Sequence, residues 1–132
     1  MVRTVDTRFF LTHFLTDDRE VKKKTIAKLY EMRKESAIVP TIVLHEVYKF
    51  EFQKFGKDAA ETLTRSIETS GLKVEALTPE IAKKAAVLRC KYANLPTADA
   101  IIAATAMDRK SNRVCSDDEH FARMKEIKTE WL

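Results

Sequence analysis

The chain has 132 residues, 45% of them apolar and 33% charged, with a formal net charge of +4. That balance suits one domain spanning 1–132 with a real hydrophobic core, and it excludes a disordered or collagen-like chain. Only two glycines and three prolines occur, so regular structure joined by short connections is expected. No stretch approaches the roughly 18 consecutive apolar residues of a membrane span, and the opening residues carry no signal-peptide pattern. Cys90 and Cys115 have neither the density of a disulfide framework nor the spacing of a zinc site. The expectation is a soluble cytoplasmic protein with both thiols reduced. The modest positive charge favours a polyanionic partner only slightly.

In chain order, Val2 to Val5 reads as a short strand ending at Asp6, followed by a helix carrying Phe9, Phe10, His13 and Phe14 at helical spacing. Asp17 or Asp18 can cap a second helix with Val21, Ile26, Leu29, Tyr30 and Met32 on its apolar side. Ala37 to Val39 reads as a buried strand, and Pro40-Thr41 opens a helix that Gly56 ends. Another helix runs from Asp58 to about Ser70, and Lys73 to Leu77 alternates as a strand does. Thr78 followed by Pro79 is a helix start, with the hydroxyl as cap and proline at the first helical position. That helix reaches about Ala93. Thr97 is expected to cap the next, Ala98 to about Lys110; then come a strand at Arg113 to Ser116, a helix at Asp118 to Met124 and a last strand at Ile127 to Glu130. Strands alternating with helices imply βαβ units and a mainly parallel sheet covered by helices, an α/β fold.

Ligands of such sheets sit beyond the carboxyl ends of the strands. Asp6 falls there, as does the pair Asp117-Asp118. Glu46 and Asp99 lie near helix starts, and both have surroundings unusual for surface carboxylates. Glu46 is set in Ile42-Val43-Leu44-His45-Glu46-Val47, and Asp99 shares a helix face with Ile102, Ala103 and Ala106. Were these acids to converge, two unit charges about 4 Å apart would repel by on the order of 4 kcal/mol at an effective dielectric near 20. A proton or a cation must then offset the charge. Magnesium or manganese is the natural cation for carboxylates and water, and metal-assisted phosphodiester hydrolysis is the chemistry that follows. Each acid also has a plainer reading: an Asp at a helix start is more often a cap than a ligand, and Glu46 can simply reach solvent or a lysine.

Val5-Asp6-Thr7, Glu46, the run Leu95-Pro96-Thr97-Ala98-Asp99-Ala100-Ile101-Ile102-Ala103-Ala104-Thr105-Ala106 and Ser116-Asp117-Asp118-Glu119-His120-Phe121 stand in order along nearly the whole chain. Together they resemble the PIN domain, in particular the VapC-type toxins of toxin–antitoxin pairs, whose closing Thr-x-Asp-x-x-Phe pattern has Ser116 in the hydroxyl position here. The resemblance implies a three-layer α/β/α sandwich and a Mg2+- or Mn2+-dependent endoribonuclease. Asp6, Glu46 and Asp99 would form the metal-binding core and Asp118 the fourth acid, with Asp117 as its alternative. Ser116 would hold Asp6 or a water. The resemblance also implies an RNA substrate, a homodimer and a cognate antitoxin. Arg8, where a small polar residue is commoner, Ser116, in place of the more usual threonine, and the Asp117-Asp118 doublet depart from the pattern.

His13, His45 and His120 are set aside as general bases, His45 because it points away from Glu46 around the helix and His120 because it is expected to pack in the last helix. Tyr48, Phe50, Phe52 and Phe55 are read as core or as a subunit or antitoxin contact rather than a stacking platform. Lys49, Arg89, Arg109, Lys110 and Arg113 are candidate phosphate contacts, although Arg109, Lys110 and Arg113 fall at the far end of the Asp99 helix. Two other readings compete with the toxin: a non-catalytic module binding RNA or protein, and a housekeeping RNA-processing nuclease.

Overall fold

The computed structural model describes residues 2–111 and 113–132. In chain order it comprises β1 (Arg3–Val5), α1 (Thr7–Leu15), α2 (Arg19–Lys34), β2 (Ile38–Pro40), α3 (Thr41–Phe55), α4 (Lys57–Glu68), β3 (Lys73–Glu75), α5 (Pro79–Lys91), α6 (Thr97–Asp108), β4 (Arg113–Cys115), α7 (Glu119–Ala122) and β5 (Lys128–Glu130). The strands form one sheet in the order β3-β2-β1-β4-β5, and every pairing is parallel. Successive strand residues face opposite sides, and Arg3, Thr4 and Val5 are all buried. Helices therefore cover both faces, giving the expected three layers. Among the described residues no helix is long and apolar enough to cross a membrane.

Local chemistry explains most boundaries. Asp18, rather than Asp17, caps α2 by accepting from the backbone N–H groups of Glu20 and Val21. Thr78 caps α5 through the Ile81 N–H, with Pro79 opening the helix. Gly56 joins α3 to α4 at φ 94° and ψ −178°, a conformation essentially restricted to glycine. It allows α4 to begin at Lys57, one residue before the expected start at Asp58. Thr97 is not a cap. Pro96 holds that position in extended conformation, without a side-chain bond, and Thr97 is the first helical residue. The last helix is shorter than expected, and β3 stops at Glu75.

Phe9, Phe10, Met32, Ile67, Ile81, Ile102 and Phe121 fill the interior. Ala100, Ala103, Ala104 and Ala106 are buried on α6, and their small side chains let that helix lie close to β1, β2 and β4. At the start of β1, Arg3 pairs with Glu31, Glu35 and Glu130.

One buried group lacks compensation. Val43, Val47 and Glu51 recur every four residues along the buried line of α3, and neither carboxylate oxygen of Glu51 has a hydrogen-bond partner among the described residues. Burial pushes its carboxyl up. Glu51→Met should raise the thermal midpoint, corresponding to about 1–3 kcal/mol gained by removing an unsatisfied polar group. A lowered midpoint would show that the carboxyl is satisfied in solution.

Candidate metal centre

From β1 the chain builds β2 and β3 on one side, then returns to place β4 and β5 on the other. The carboxyl ends of β1 and β4 are thus the switch point, where open parallel sheets leave a crevice. Asp6 leaves β1 as the residue preceding α1 and makes no side-chain capping bond. Its carboxylate is buried, only 2% exposed. Ser116, immediately after β4, donates its Oγ–H to Asp6 Oδ2 at 2.6 Å and also accepts from the Asp118 N–H at 3.0 Å.

Asp99 enters from the first turn of α6 and is likewise buried. A carboxylate there is favoured by the helix dipole. Glu46 comes from α3, and its Oε1 accepts from the Thr7 hydroxyl at 2.6 Å. Asp118 caps α7, its Oδ1 accepting from the His120 N–H at 2.9 Å. The plain capping reading therefore holds for Asp118, and the same oxygen also faces Asp99 across His120. Asp117 turns away and pairs with Arg8.

The charges act on one another. Desolvation pushes the Asp6 carboxyl up to about 7, with the Ser116 hydrogen bond opposing and Asp99 and Glu46 adding repulsion. Desolvation, then Asp118 and Glu46, push Asp99 up to about 6, with His120 opposing. Asp6, Glu46, Asp99 and Asp118 are thus one electrostatic unit.

His120 is the residue that the sequence reading misplaced. Its Nδ1 lies 3.1 Å from Asp99 Oδ2 and 3.0 Å from Asp118 Oδ1, yet it is enclosed and makes no in-line hydrogen bond among the described residues. The signal was present: a histidine two residues after an N-cap carboxylate returns toward it within the first helical turn. Thr7, which orients Glu46, was also assigned no role.

One atom each from Asp99, Asp118 and His120 fall within 4.8 Å of one another. An octahedral ion with bonds of about 2.1 Å separates its ligands by roughly 3 to 4 Å, so a small inward movement completes such a set. A buried imidazole nitrogen without a directed bond, between two carboxylates, fits a cation better than it fits a closed hydrogen-bond network. Carboxylates suit magnesium and manganese alike, and an imidazole beside them favours a transition ion such as manganese over magnesium.

A family model described as the PIN domain matches residues 4–127. The chain belongs to the PIN domain family. Among solved structures, its fold is similar to a VapBC complex from Rickettsia felis bound to a DNA fragment of its promoter (TM-score 0.79, 16% identity, 99% of this chain and 98% of that one covered). It is also similar to a VapC toxin from Mycobacterium tuberculosis that cleaves the sarcin-ricin loop (TM-score 0.73, 17% identity, 95% and 98% covered). A third is FitAcB from Neisseria gonorrhoeae (TM-score 0.72, 20% identity, 97% and 96% covered). A comparison with curated protein sequences gives no match.

Around this PIN-domain site the cations divide in two. Arg109 pairs with Glu75 at 2.9 Å, Arg113 lies 3.8 Å from Glu130, and Arg89 donates to the Leu95 carbonyl at 3.1 Å. Lys49 instead lines a groove of about 440 Å3 that begins at Thr7 and Glu46 and continues past Leu11, Phe50 and Gln53. Phe52 and Phe55 are exposed rather than core.

The raised carboxyls set a pH dependence. Asp6 and Asp99 bind protons more tightly in the folded chain than at the ordinary value of 3.8, so folding is favoured while they are protonated. Each pKa unit corresponds to about 1.4 kcal/mol. Metal-free protein should lose thermal stability as pH rises from about 4 to about 7, the window set by these shifts. Manganese, which replaces the protons, should restore it most strongly at the upper end. Melting curves that ignore both pH and manganese would contradict the coupling.

Proposed function

We propose that this PIN-domain protein is a divalent-metal-dependent endoribonuclease and the toxin of a VapBC-type pair, acting as one nuclease unit over 1–132. The observation that supports the reading is the cluster of Asp99, Asp118 and His120 at the switch point of the sheet, with Asp6 and Glu46 near enough to act on the same charges. Asp6, Glu46, Asp99 and Asp118, with His120 beside them, are the groups that would hold Mg2+ or Mn2+. A bound ion supplies a water of lowered pKa and neutralises charge on the phosphate.

The chain's own residues do the positioning. Ser116 fixes one oxygen of Asp6, Thr7 fixes Glu46, and the first turn of α7 fixes Asp118. Single-stranded RNA would lie along the groove beside Glu46, with Lys49 near its backbone. A buried acidic crevice admits one strand at a time, whereas duplex RNA presents its backbone on a wide surface.

The toxin assignment is supported by the solved relatives, which include a toxin–antitoxin complex from Klebsiella pneumoniae and a DNA-bound VapBC from Salmonella typhimurium. The exposed Phe52 and Phe55, with Tyr48 stacked on Phe52 at 6.1 Å, give α3 an apolar surface of the kind that partners cover. We assign it to the antitoxin or to a second copy in a homodimer.

Asp99→Asn should reduce magnesium-dependent cleavage of single-stranded RNA at least ~100-fold, while Ser116→Ala should weaken metal affinity about tenfold, as loss of an orienting partner does. Because Asn removes a repelling charge, Asp99→Asn should also melt higher than the parent without metal at neutral pH. Cleavage unchanged in Asp99→Asn would refute the reading.

A further inference from the structure

The metal centre accounts for neither Arg8 nor Asp117, two of the positions where the sequence departs from the family pattern. The structure pairs them with each other: Arg8 Nε meets Asp117 Oδ1 across the end of the sheet. Arg8 stands in the first turn of α1, where the helix dipole disfavours a cation, and that turn carries no acid of its own. Arg8 follows Thr7, which bonds Glu46, and its partner Asp117 precedes Asp118, so the pair borders the acidic crevice. Asp117, Asp118 and Asp6 all favour the charged guanidinium. Arg3, Arg109 and Arg113, by contrast, are paired with glutamates rather than with the acids of the crevice.

The pair is open to water, its side chains 53% and 39% exposed. Ion pairs this exposed are weak and readily exchanged. A phosphate offers a guanidinium a two-oxygen, fork-like partner. Beyond Arg8 the surface of α1 forms a hollow of about 370 Å3 lined by Leu11, Thr12, Leu15 and Thr16. Leu11 also lines the groove beside Glu46, so the two depressions share a lining residue on α1.

We propose that Arg8 is an exchangeable phosphate clamp at the mouth of the metal centre. In the free protein it rests on Asp117. When single-stranded RNA arrives, the guanidinium passes from the Asp117 carboxylate to a backbone phosphate neighbouring the one at the acids. Asp117 competes with the substrate for the same cation and sets how readily it is released. Arg8 is a positioning residue, and Asp117 acts only through it. The inference rests on the nuclease reading for the identity of the strand, and its test is therefore a binding measurement.

Affinity for a labelled single-stranded RNA is measured by fluorescence anisotropy in the Asp99→Asn background with manganese, while cleavage is followed separately in the parent. Arg8→Ala should weaken binding about tenfold and lower the slope of log Kd against log salt by about 0.7, one single-strand phosphate contact. Asp117→Asn should tighten binding about threefold, and that gain should vanish when Arg8 is already alanine, since coupled residues do not act additively. Equal weakening by both single variants, or a gain from Asp117→Asn that persists without Arg8, would overturn the clamp. Parent that cleaves RNA while these shifts fail sinks the clamp alone. The expected shifts without cleavage sink the nuclease reading alone, and no RNA binding sinks both.

Discussion

Burial of carboxylates at the carboxyl ends of β1 and β4, with their mutual repulsion added, is the constraint around which this structure is organised. Asp6 is buried against the sheet and Asp99 is brought to it by α6, so both lose solvent that would screen them. A fold selected for stability alone would place apolar groups there. Here the interior does the reverse: the buried alanines of α6 let the helix approach the strands, which draws Asp99 into the field of Asp6. Ser116 and Thr7 then orient carboxylates without neutralising them. The surrounding packing sustains a concentration of negative charge that favours the protonated forms of Asp6 and Asp99.

Several residues serve the fold and the site together. Asp118 caps α7 and, through the same oxygen, faces His120. Ser116 ends β4, receives the backbone N–H of Asp118 and donates to Asp6. This sharing fixes the geometry without requiring long loops, which explains how strands of three residues each hold a multi-acid site. It also makes the site sensitive to the N-terminal phase of α7. Sliding that helix by one residue would exchange Asp118 for Asp117 and so exchange a group facing the crevice for one facing Arg8.

Much of this was legible in the sequence, for identifiable reasons. Thr78-Pro79 and Gly56 mark helix ends by local chemistry and stand where expected. Glu46 and Asp99 stand out as acids in apolar or small-residue settings, and Asp6 stands out by its place at the end of the first strand. The misses share a cause, which is that tertiary contacts decide what local pattern leaves open. Thr97 has the chemistry of a cap, yet Pro96 before it already sets the extended entry to α6. The choice between Asp117 and Asp118 depends on helix phase, which a helix as short as Glu119–Ala122 does not reveal by periodicity. His120 reads as a packing residue until the first turn of α7 is seen to aim it at Asp99. Glu51 continues a buried line of α3 that sequence pattern alone would fill with an apolar residue.

The claim on which the account turns is that one cation belongs among these acids. The most direct measurement is anomalous diffraction from crystals soaked in manganese at near-neutral pH. The account predicts a single strong peak in the crevice bounded by Asp6, Asp99 and Asp118, at bonding distance from Asp99 and Asp118, with Asp117 still on Arg8. A crevice that stays without manganese while its carboxylates keep their positions, or manganese bound only at outer surfaces, would contradict it.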